Sequence, residues 1–568
     1  MEKTTKKHHV NLFGRTAWEA FEPEKMENGG YPLVGALING ELCGLNQPIS
    51  FESEIEAVYL NSIKGMLLYR NALSFLLLQA WYASLQECGN ESGDESQEPQ
   101  RSSWQELGSL TIGPTMGSGF YCYFDGDISA ELLLALKRQM QDWIAADLPI
   151  TLNYISYTAA QELYGGKAEW REYLSLSNQN RIPVYSLGPF RFSSPRVEPC
   201  LHRLGLLQKF DLTKNGEGFL LHFPRHSRPF SLDGEAVYAP KLLDMYRQYK
   251  EWNRNVGVYN VAALVARTEQ KNGIDKLITL SEIHQQKIMG HIADSVLAKK
   301  TARLLLIAGP SSSGKTTFTK KLALQLEILG YRTVIVSLDD FYLGKDYPTP
   351  KGPDGKPDLE CLEALNLERL SRNLSELLSG QKVEFPLFDF AAGRTKETGR
   401  WLQMSGNTIL MMEGIHGLNP MLTPDIPKEQ KFHVYISALT QLNILPSLRM
   451  PTSDNRLLRR IVRDYRFRGH SAHETLAMWD SVQRGERQHI FPHQNKADAV
   501  FNSVLEYEIP ILKTYAAPLL KQVKPDQATY ATAKHLENIL SFFPSLSSSP
   551  VPKDSILREF IGGSSFHY

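Results

Sequence analysis

The densest concentration of reactive residue types is Gly309-Pro310-Ser311-Ser312-Ser313-Gly314-Lys315-Thr316, a full match to G-x-x-x-x-G-K-[ST], followed directly by Thr317. Two glycines let the backbone wrap so that successive N–H groups face one anion, the lysine reaches β- and γ-phosphates, and the threonine hydroxyl ligates Mg²⁺. A helix opening at the lysine adds its positive N-terminal end. Gly309 to Thr317 is therefore expected to hold a nucleoside triphosphate. Two strand-like runs end in acids: Asp339 and Asp340 follow TVIVSL, and Glu413 follows TILMM. One such acid is as often a turn or cap residue. Two of them beside a phosphate loop read as one carboxylate orienting an attacking hydroxyl and another in the magnesium shell. The third feature is RLLRRIVRDYRFR, Arg456 to Arg468. Leu457, Leu458, Ile461, Val462 and Tyr465 make one helical face and Arg456, Arg459, Arg460 and Arg463 the other, with Asp464 the acid nearby. A charge run is usually a solvated face, but guanidinium groups pair bidentately with phosphate oxygens. A lid helix closing over the triphosphate is expected here.

These groups need strands and helices to hold them. RLLLIA (Arg303 to Ala308) is a continuous apolar run, as in a strand buried on both faces of a parallel sheet. Lys315 to Leu329 carries Phe318, Leu322, Leu326 and Leu329 on one helical face and stops at Gly330. TVIVSL (Thr333 to Leu338), TILMM (Thr408 to Met412), FHVYIS (Phe432 to Ser437) and ADAVFNS (Ala497 to Ser503) are further strands separated by helical segments, which predicts a doubly wound α/β domain. Ligands of such sheets bind at the carboxyl ends of the strands, where the acids stand.

With 568 residues, three or four domains of about 150 residues are expected, and 42% apolar residues give each a core. Sixty-two Lys and Arg balance sixty-two Asp and Glu, so there is no net basic field for sequence-independent nucleic-acid binding. Five scattered cysteines in no C-x-x-C arrangement predict neither a disulfide framework nor a cysteine zinc site. The longest apolar stretch, Ala72 to Trp81, is too short to span a membrane, and the polar start lacks a signal-peptide core, so a cytoplasmic protein is expected. Glu87 to Ser103 reads as a solvated acidic loop and Ser545 to Lys553 as a Ser/Pro linker. The tail Ser555 to Tyr568 is apolar enough to dock back onto the body. Trp252 to Lys300 reads as a helical connector, and no internal repeat is visible.

GPSSSGKTT (Gly309 to Thr317), SLDDFY (Ser337 to Tyr342), PLFDF (Pro386 to Phe390), MEGI (Met412 to Ile415), RRIVRD (Arg459 to Asp464) and NKAD (Asn495 to Asp498) together resemble the uridine kinase and phosphoribulokinase family over roughly 302–512. That resemblance implies ATP and Mg²⁺ as cofactors and Asp339 as the base facing a sugar hydroxyl. It implies Glu413 with Thr316 in the magnesium environment, and Arg459 and Arg463 as phosphate contacts assisting Lys315 in catalysis. Asp339, Tyr342, Glu360, Phe388 and Arg468 are the implied substrate-facing residues. Phe388 and Gly393 stand where uridine kinases carry a Tyr and a His that hold the pyrimidine.

The first half resembles the start of threonyl-tRNA synthetases. Ala36 to Val58 is similar to a small β-grasp TGS domain, and Tyr69 to Ala80 with Ile112 to Asp125 is similar to the α+β editing domain. The H-x-x-x-H pair of that domain reads Asn71 and Phe75, and SSPRV (Ser193 to Val197) shows no Cys or His. Phe cannot replace imidazole as metal ligand or base, so a retained fold without hydrolysis is expected. The implied organisation is a TGS-like domain at 1–65, an editing-like domain at 66–245, a helical connector at 246–300, a P-loop kinase domain at 301–540 and a linker with tail at 541–568. The whole resembles a bacterial group of uridine kinase-like nucleoside kinases, which implies ATP-dependent phosphorylation of a small nucleoside. Two alternatives stay open: a kinase for another small hydroxyl compound such as a sugar phosphate or a pantothenate-like acid, and a nucleotide-gated RNA- or ribosome-associated factor using the first half for RNA contact.

Overall fold

The computed structural model describes residues 8–10, 14–21, 29–87, 109–117, 119–166, 168–188, 193–195, 198–232, 239–344, 347–348, 350–352, 355, 358–389, 392–445 and 448–567. Most of the acidic stretch expected as a solvated loop, from residue 88 on, lies outside them.

Five parallel strands form the central sheet of the second half, in the spatial order Arg332–Ser337, Thr408–Glu413, Leu304–Ala308, Lys431–Ser437 and Ala499–Asn502. All five strands expected from the sequence are present, with small shifts at their ends. The middle strand, LLLIA, is buried at every position because helices cover both faces. On one face lie the helix Lys315–Ile328 and the long helix Gly273–Ala298 packed against it. Between this sheet's second and third strands in chain order, Arg332–Ser337 and Thr408–Glu413, an insertion supplies the helix Leu367–Leu378 and an antiparallel hairpin, Val383–Asp389 with Arg394–Leu402. The arginine-rich helix Thr452–Arg468 packs against the helix Glu508–Leu520 and against the tail helix Arg558–Ile561.

The first half opens with four antiparallel strands in the order His8–Val10, Ser53–Tyr59, Leu33–Ile38 and Glu41–Gly44. The helix Ile63–Glu87 that follows is apolar on all sides. It is buried along most of its length among that sheet, the helix Ala130–Ala145 and a second antiparallel sheet built from Thr111–Met116, Gly119–Tyr123, Gly218–His222 and Asp211–Asn215. Among the described residues no helix is long and apolar enough to cross a membrane.

Three helices, Pro240–Asn255, Val261–Glu269 and Gly273–Ala298, join the halves. The first packs against both halves: Tyr249 donates its hydroxyl to Asn502 O at 2.9 Å and Trp252 Nε1 donates to Glu506 at 3.2 Å on one side, while the Tyr246 hydroxyl donates to Tyr123 at 3.1 Å and Arg254 pairs with Asp125 at 2.7 Å on the other. The Ser/Pro stretch near the end is tied down rather than free. Tyr515 and Ser548 share a hydroxyl bond of 2.6 Å, and Arg558 donates to Ser548 O and Val551 O at 2.9 and 2.7 Å.

Candidate active site

The phosphate loop runs from the middle strand into the helix that Gly314 opens. Gly314 has φ +84°, which an L side chain rarely adopts. A Cβ on Gly309 would stand 2.4 Å from Ile436 O, so the loop's close approach to the neighbouring strand needs glycine there too. Ser312 also holds a left-handed φ of +57°, a strained conformation typical of ligand-clamping loops. The Ser312 and Ser313 hydroxyls are buried and without hydrogen-bond partners among the described residues. Buried orphan donors are costly, and phosphate oxygens are the partners this loop shape would take. Lys315 Nζ donates to Pro310 O at 3.2 Å, within the loop.

Acids converge on that lysine. Thr316 Oγ1 donates to Glu413 Oε1 at 3.3 Å. Burial pushes the Glu413 carboxyl up to about 7, against the pull of Lys315, with Asp339 and Glu559 adding to the rise. Asp339 sits on a short 3₁₀ turn, Leu338–Phe341, whose start is fixed by the Ser337 hydroxyl accepting from Asp339 N. Its carboxyl is raised by burial and by Asp340, while Lys315 and Arg468 hold it down. Glu360 is pushed up to about 7 by burial and by Glu486, opposed by Arg460 and Lys315, and feels Asp339 as well. Lys315, Asp339, Glu360 and Glu413 thus lie within electrostatic reach of one another, with Thr316 bonded to Glu413 and Arg468 acting on Asp339. Asp340 has a different job: it accepts from Arg400 Nη1 at 3.3 Å and Phe388 N at 3.5 Å, fastening the hairpin to the turn. Tyr342 and Phe388 meet edge to face at 5.6 Å beside it, and the Tyr342 hydroxyl donates to Leu359 O at 3.1 Å.

The arginine helix departs from the expected lid. Arg459 is fully buried; its guanidinium makes a two-point pair with Glu508 at 3.1 and 2.6 Å and donates to Ser503 and to Ser312 O. Arg456 is likewise buried, paired through both Nη atoms with Glu486, and donates to Ser311 O at 3.0 Å. Glu486 in turn accepts from Ser311 N at 3.0 Å. These arginines brace the carbonyl side of the loop, and Arg459 is not placed as a phosphate contact. The physical reason is partner supply: Glu486 and Glu508 arrive from later segments and neutralise a face that looked unpaired locally. The far end of the helix is different. Buried Asp464 gathers Arg460, Arg463 and Arg468 at 3.2, 2.7 and 3.6 Å. Arg460 also donates to Ser311 Oγ at 2.8 Å. Arg463 is held by both Nε and Nη2 on Asp464, and Arg468 is half exposed.

Two contributors escaped sequence reasoning, Glu486 and Glu559, for which no local signal exists, whereas Arg460 stands on the arginine face that the sequence marks. In the first half, Asn71 Nδ2 donates to Pro199 O at 3.0 Å and Phe75 is fully buried. His222 pairs with Thr213 at 2.6 Å, and His202 lies against the Trp18 ring, its pKa lowered to about 4 by burial.

A strand, a glycine-rich loop with its lysine, and carboxylates at the ends of neighbouring parallel strands define a P-loop nucleotide fold equipped for phosphate chemistry. Residues 304–510 match the model of the phosphoribulokinase / uridine kinase family, so the second half carries that family's domain. The chain is 29% identical over 195 residues to a uridine kinase from Macrococcus caseolyticus, covering 34% of this chain and 84% of that one. The first half is similar to threonine–tRNA ligases, among them that of Thermotoga maritima, with 30% identity over 232 residues, 40% of this chain. The chain spans 32% of that ligase's length. The solved structure of a possible uridine kinase from Bacillus stearothermophilus aligns over 39% of this chain and all of its own, at 19% identity and a TM-score of 0.26.

Proposed function

We propose that the second half transfers the γ-phosphoryl group of ATP to the 5′-hydroxyl of a uridine- or cytidine-like nucleoside. The observation that carries this is the phosphate loop with its buried Ser312 and Ser313 hydroxyls, unpartnered among the described residues, opening a helix whose Thr316 bonds Glu413 at the end of the neighbouring strand, with Lys315, Asp339 and Glu360 within electrostatic reach of one another. Gly309 to Thr317 hold the triphosphate through backbone N–H groups and the orphan serine hydroxyls. Thr316 and Glu413 would hold Mg²⁺, which when bound neutralises charge on the phosphates. Two protein oxygens are enough for a cation that keeps phosphate and water ligands. Among the described residues no group of three His, Cys, Asp or Glu side chains forms a separate metal cage.

In this mechanism Asp339 accepts the hydroxyl proton as the oxygen attacks, Lys315 follows the charge on the transferred group, and Arg463 and Arg468 face it from the helix end. Glu360, Tyr342 and Phe388 line the acceptor side. Arg459 acts on the loop from beneath. The first half works without hydrolytic chemistry of its own, since Asn71 and Phe75 serve packing, and the whole chain acts in the cytoplasm. Purified protein with Mg²⁺ and ATP, offered a panel of nucleosides, sugar phosphates and pantothenate, is expected to turn over pyrimidine nucleosides. Exclusive turnover of a non-nucleoside would overturn the acceptor, and acceptor-independent hydrolysis alone would overturn the transfer reaction.

A further inference from the structure

The phosphate cradle is touched by the end of the chain. Ile556, Leu557, Phe560 and Ile561 are buried in the core of the second half. The segment is fastened by Lys321 Nζ to Asp554 at 3.2 Å, by the Lys320 ammonium on His567 O, and by the Arg459 guanidinium lying 5.0 Å from the centre of the Phe560 ring. Ile556 Cγ2 stands 2.6 Å from where a Cβ on Gly314 would be, so the tail is pressed onto the second glycine of the loop. From this anchored segment Glu559 reaches into the first turn of the P-loop helix. Its Oε2 accepts from Thr317 N at 3.1 Å and from Thr317 Oγ1 at 2.7 Å.

Thr317 N belongs to the first turn, whose amides have no partner within the helix and are the ones phosphate takes in loops of this shape. A carboxylate oxygen bonded to both donors of Thr317 stands where a nucleotide phosphate oxygen would. Two anions cannot share one pair of donors, and their mutual repulsion in a partly buried site adds to the conflict.

We propose that Glu559 is a phosphate mimic carried by the chain itself, and that the C-terminal segment is an autoinhibitory strap which nucleotide must displace from Thr317. Seating of the nucleotide and release of Glu559 are then one equilibrium. Apparent affinity is reduced by the fraction of molecules in which Glu559 holds Thr317. The inference rests on the nucleotide-site reading above and adds regulation to that same site.

The test uses the full chain and Mg²⁺ with ADP, measured by calorimetry. Glu559→Ala is expected to bind ADP about tenfold more tightly than the natural chain, equivalent to about 1.4 kcal/mol, with Glu559→Gln in between. In the natural chain, amide hydrogen exchange over residues 555–567 is expected to rise when ADP saturates the site, a readout that needs no variant to fold. ADP binding that is unchanged or weaker in Glu559→Ala, or tail exchange that falls or stays constant with ADP, would overturn the strap while leaving the nucleotide site intact. Absence of ADP binding in the natural chain and in Glu559→Ala alike would overturn the site itself, and the strap with it.

Discussion

Replacing Arg459 by alanine separates a brace from a phosphate contact. The guanidinium is fully buried and meets Glu508 at 3.1 and 2.6 Å, Ser503 O at 3.0 Å, Ser503 Oγ at 3.0 Å and Ser312 O at 3.3 Å. Glu508, equally buried, would keep only Asn455 Nδ2 and Leu505 N as donors, at 2.5 and 3.0 Å. Removing one partner of a buried ion pair costs about 3–5 kcal/mol because the other charge is stranded. That is a large part of the roughly 5–15 kcal/mol holding a typical domain together. Arg459→Ala should therefore lower the denaturant midpoint of the second half steeply, followed by near-ultraviolet circular dichroism. Nucleotide affinity should fall with it, because the Ser312 carbonyl loses its support. The pair Arg459→Met with Glu508→Gln should recover much of the loss, since two neutral groups can replace a buried pair at small cost. A stability change below about 1 kcal/mol accompanied by a steep fall in kcat would refute the brace and restore Arg459 as a phosphate contact.

Asp339→Asn keeps shape while removing the proton acceptor, and should cost roughly 10²- to 10⁴-fold in kcat with ATP affinity little changed in equilibrium binding; collapse of ATP affinity instead would make Asp339 a metal ligand. Glu360 and Glu413 both titrate near 7 rather than near 4.5 in the folded chain, so the folded state holds protons that the unfolded state has released. Stability of the free protein should therefore decline as pH rises from about 4.5 through 7, and thermal melts of Glu360→Gln with Glu413→Gln should show a flatter slope; an unchanged slope would place the titration elsewhere. Mg²⁺ binding with nucleotide should strengthen over the same rise in pH, as Glu413 loses its proton, when measured by calorimetry. The full chain should leave mischarged threonyl-type tRNA intact in a deacylation assay, and measurable hydrolysis would contradict the assignment of Asn71 and Phe75 to packing.

The parts legible in the sequence are those whose signal is local. Five strands announced themselves as apolar runs, the phosphate loop as a motif, and Asp339 and Glu413 by standing at the carboxyl ends of their strands. What was hidden depends on distance along the chain. Arg456 and Arg459 looked available because their partners, Glu486 and Glu508, lie on other helical segments, and no periodicity links a basic helix to acids that far away. Glu360 was reachable only through family resemblance, because the segment around it has no regular pattern of its own. The tail showed its apolar content plainly, yet the direction in which Glu559 points follows from how Ile556 and Phe560 pack, which is a property of the assembled core.

The contacts of Asn502 bear on where the two halves of this chain can be divided. Its side chain clamps Leu439 through both N–H and C=O at 2.9 Å, and its carbonyl receives Tyr249 from the helix Pro240–Asn255. The terminal strand of the parallel sheet, Ala499–Asn502, is thereby covered by residues that precede the sheet's first strand by more than fifty positions. An unpaired strand edge invites pairing with another chain. A recombination that exchanged one half for another could therefore not break between Asn255 and Leu304 without exposing this edge. A break before Pro240 would keep this cover but part Tyr246 from Tyr123, Arg254 from Asp125 and Asn260 from Glu172, so the three helices that look like a spacer are shared by the two halves and offer no free crossover.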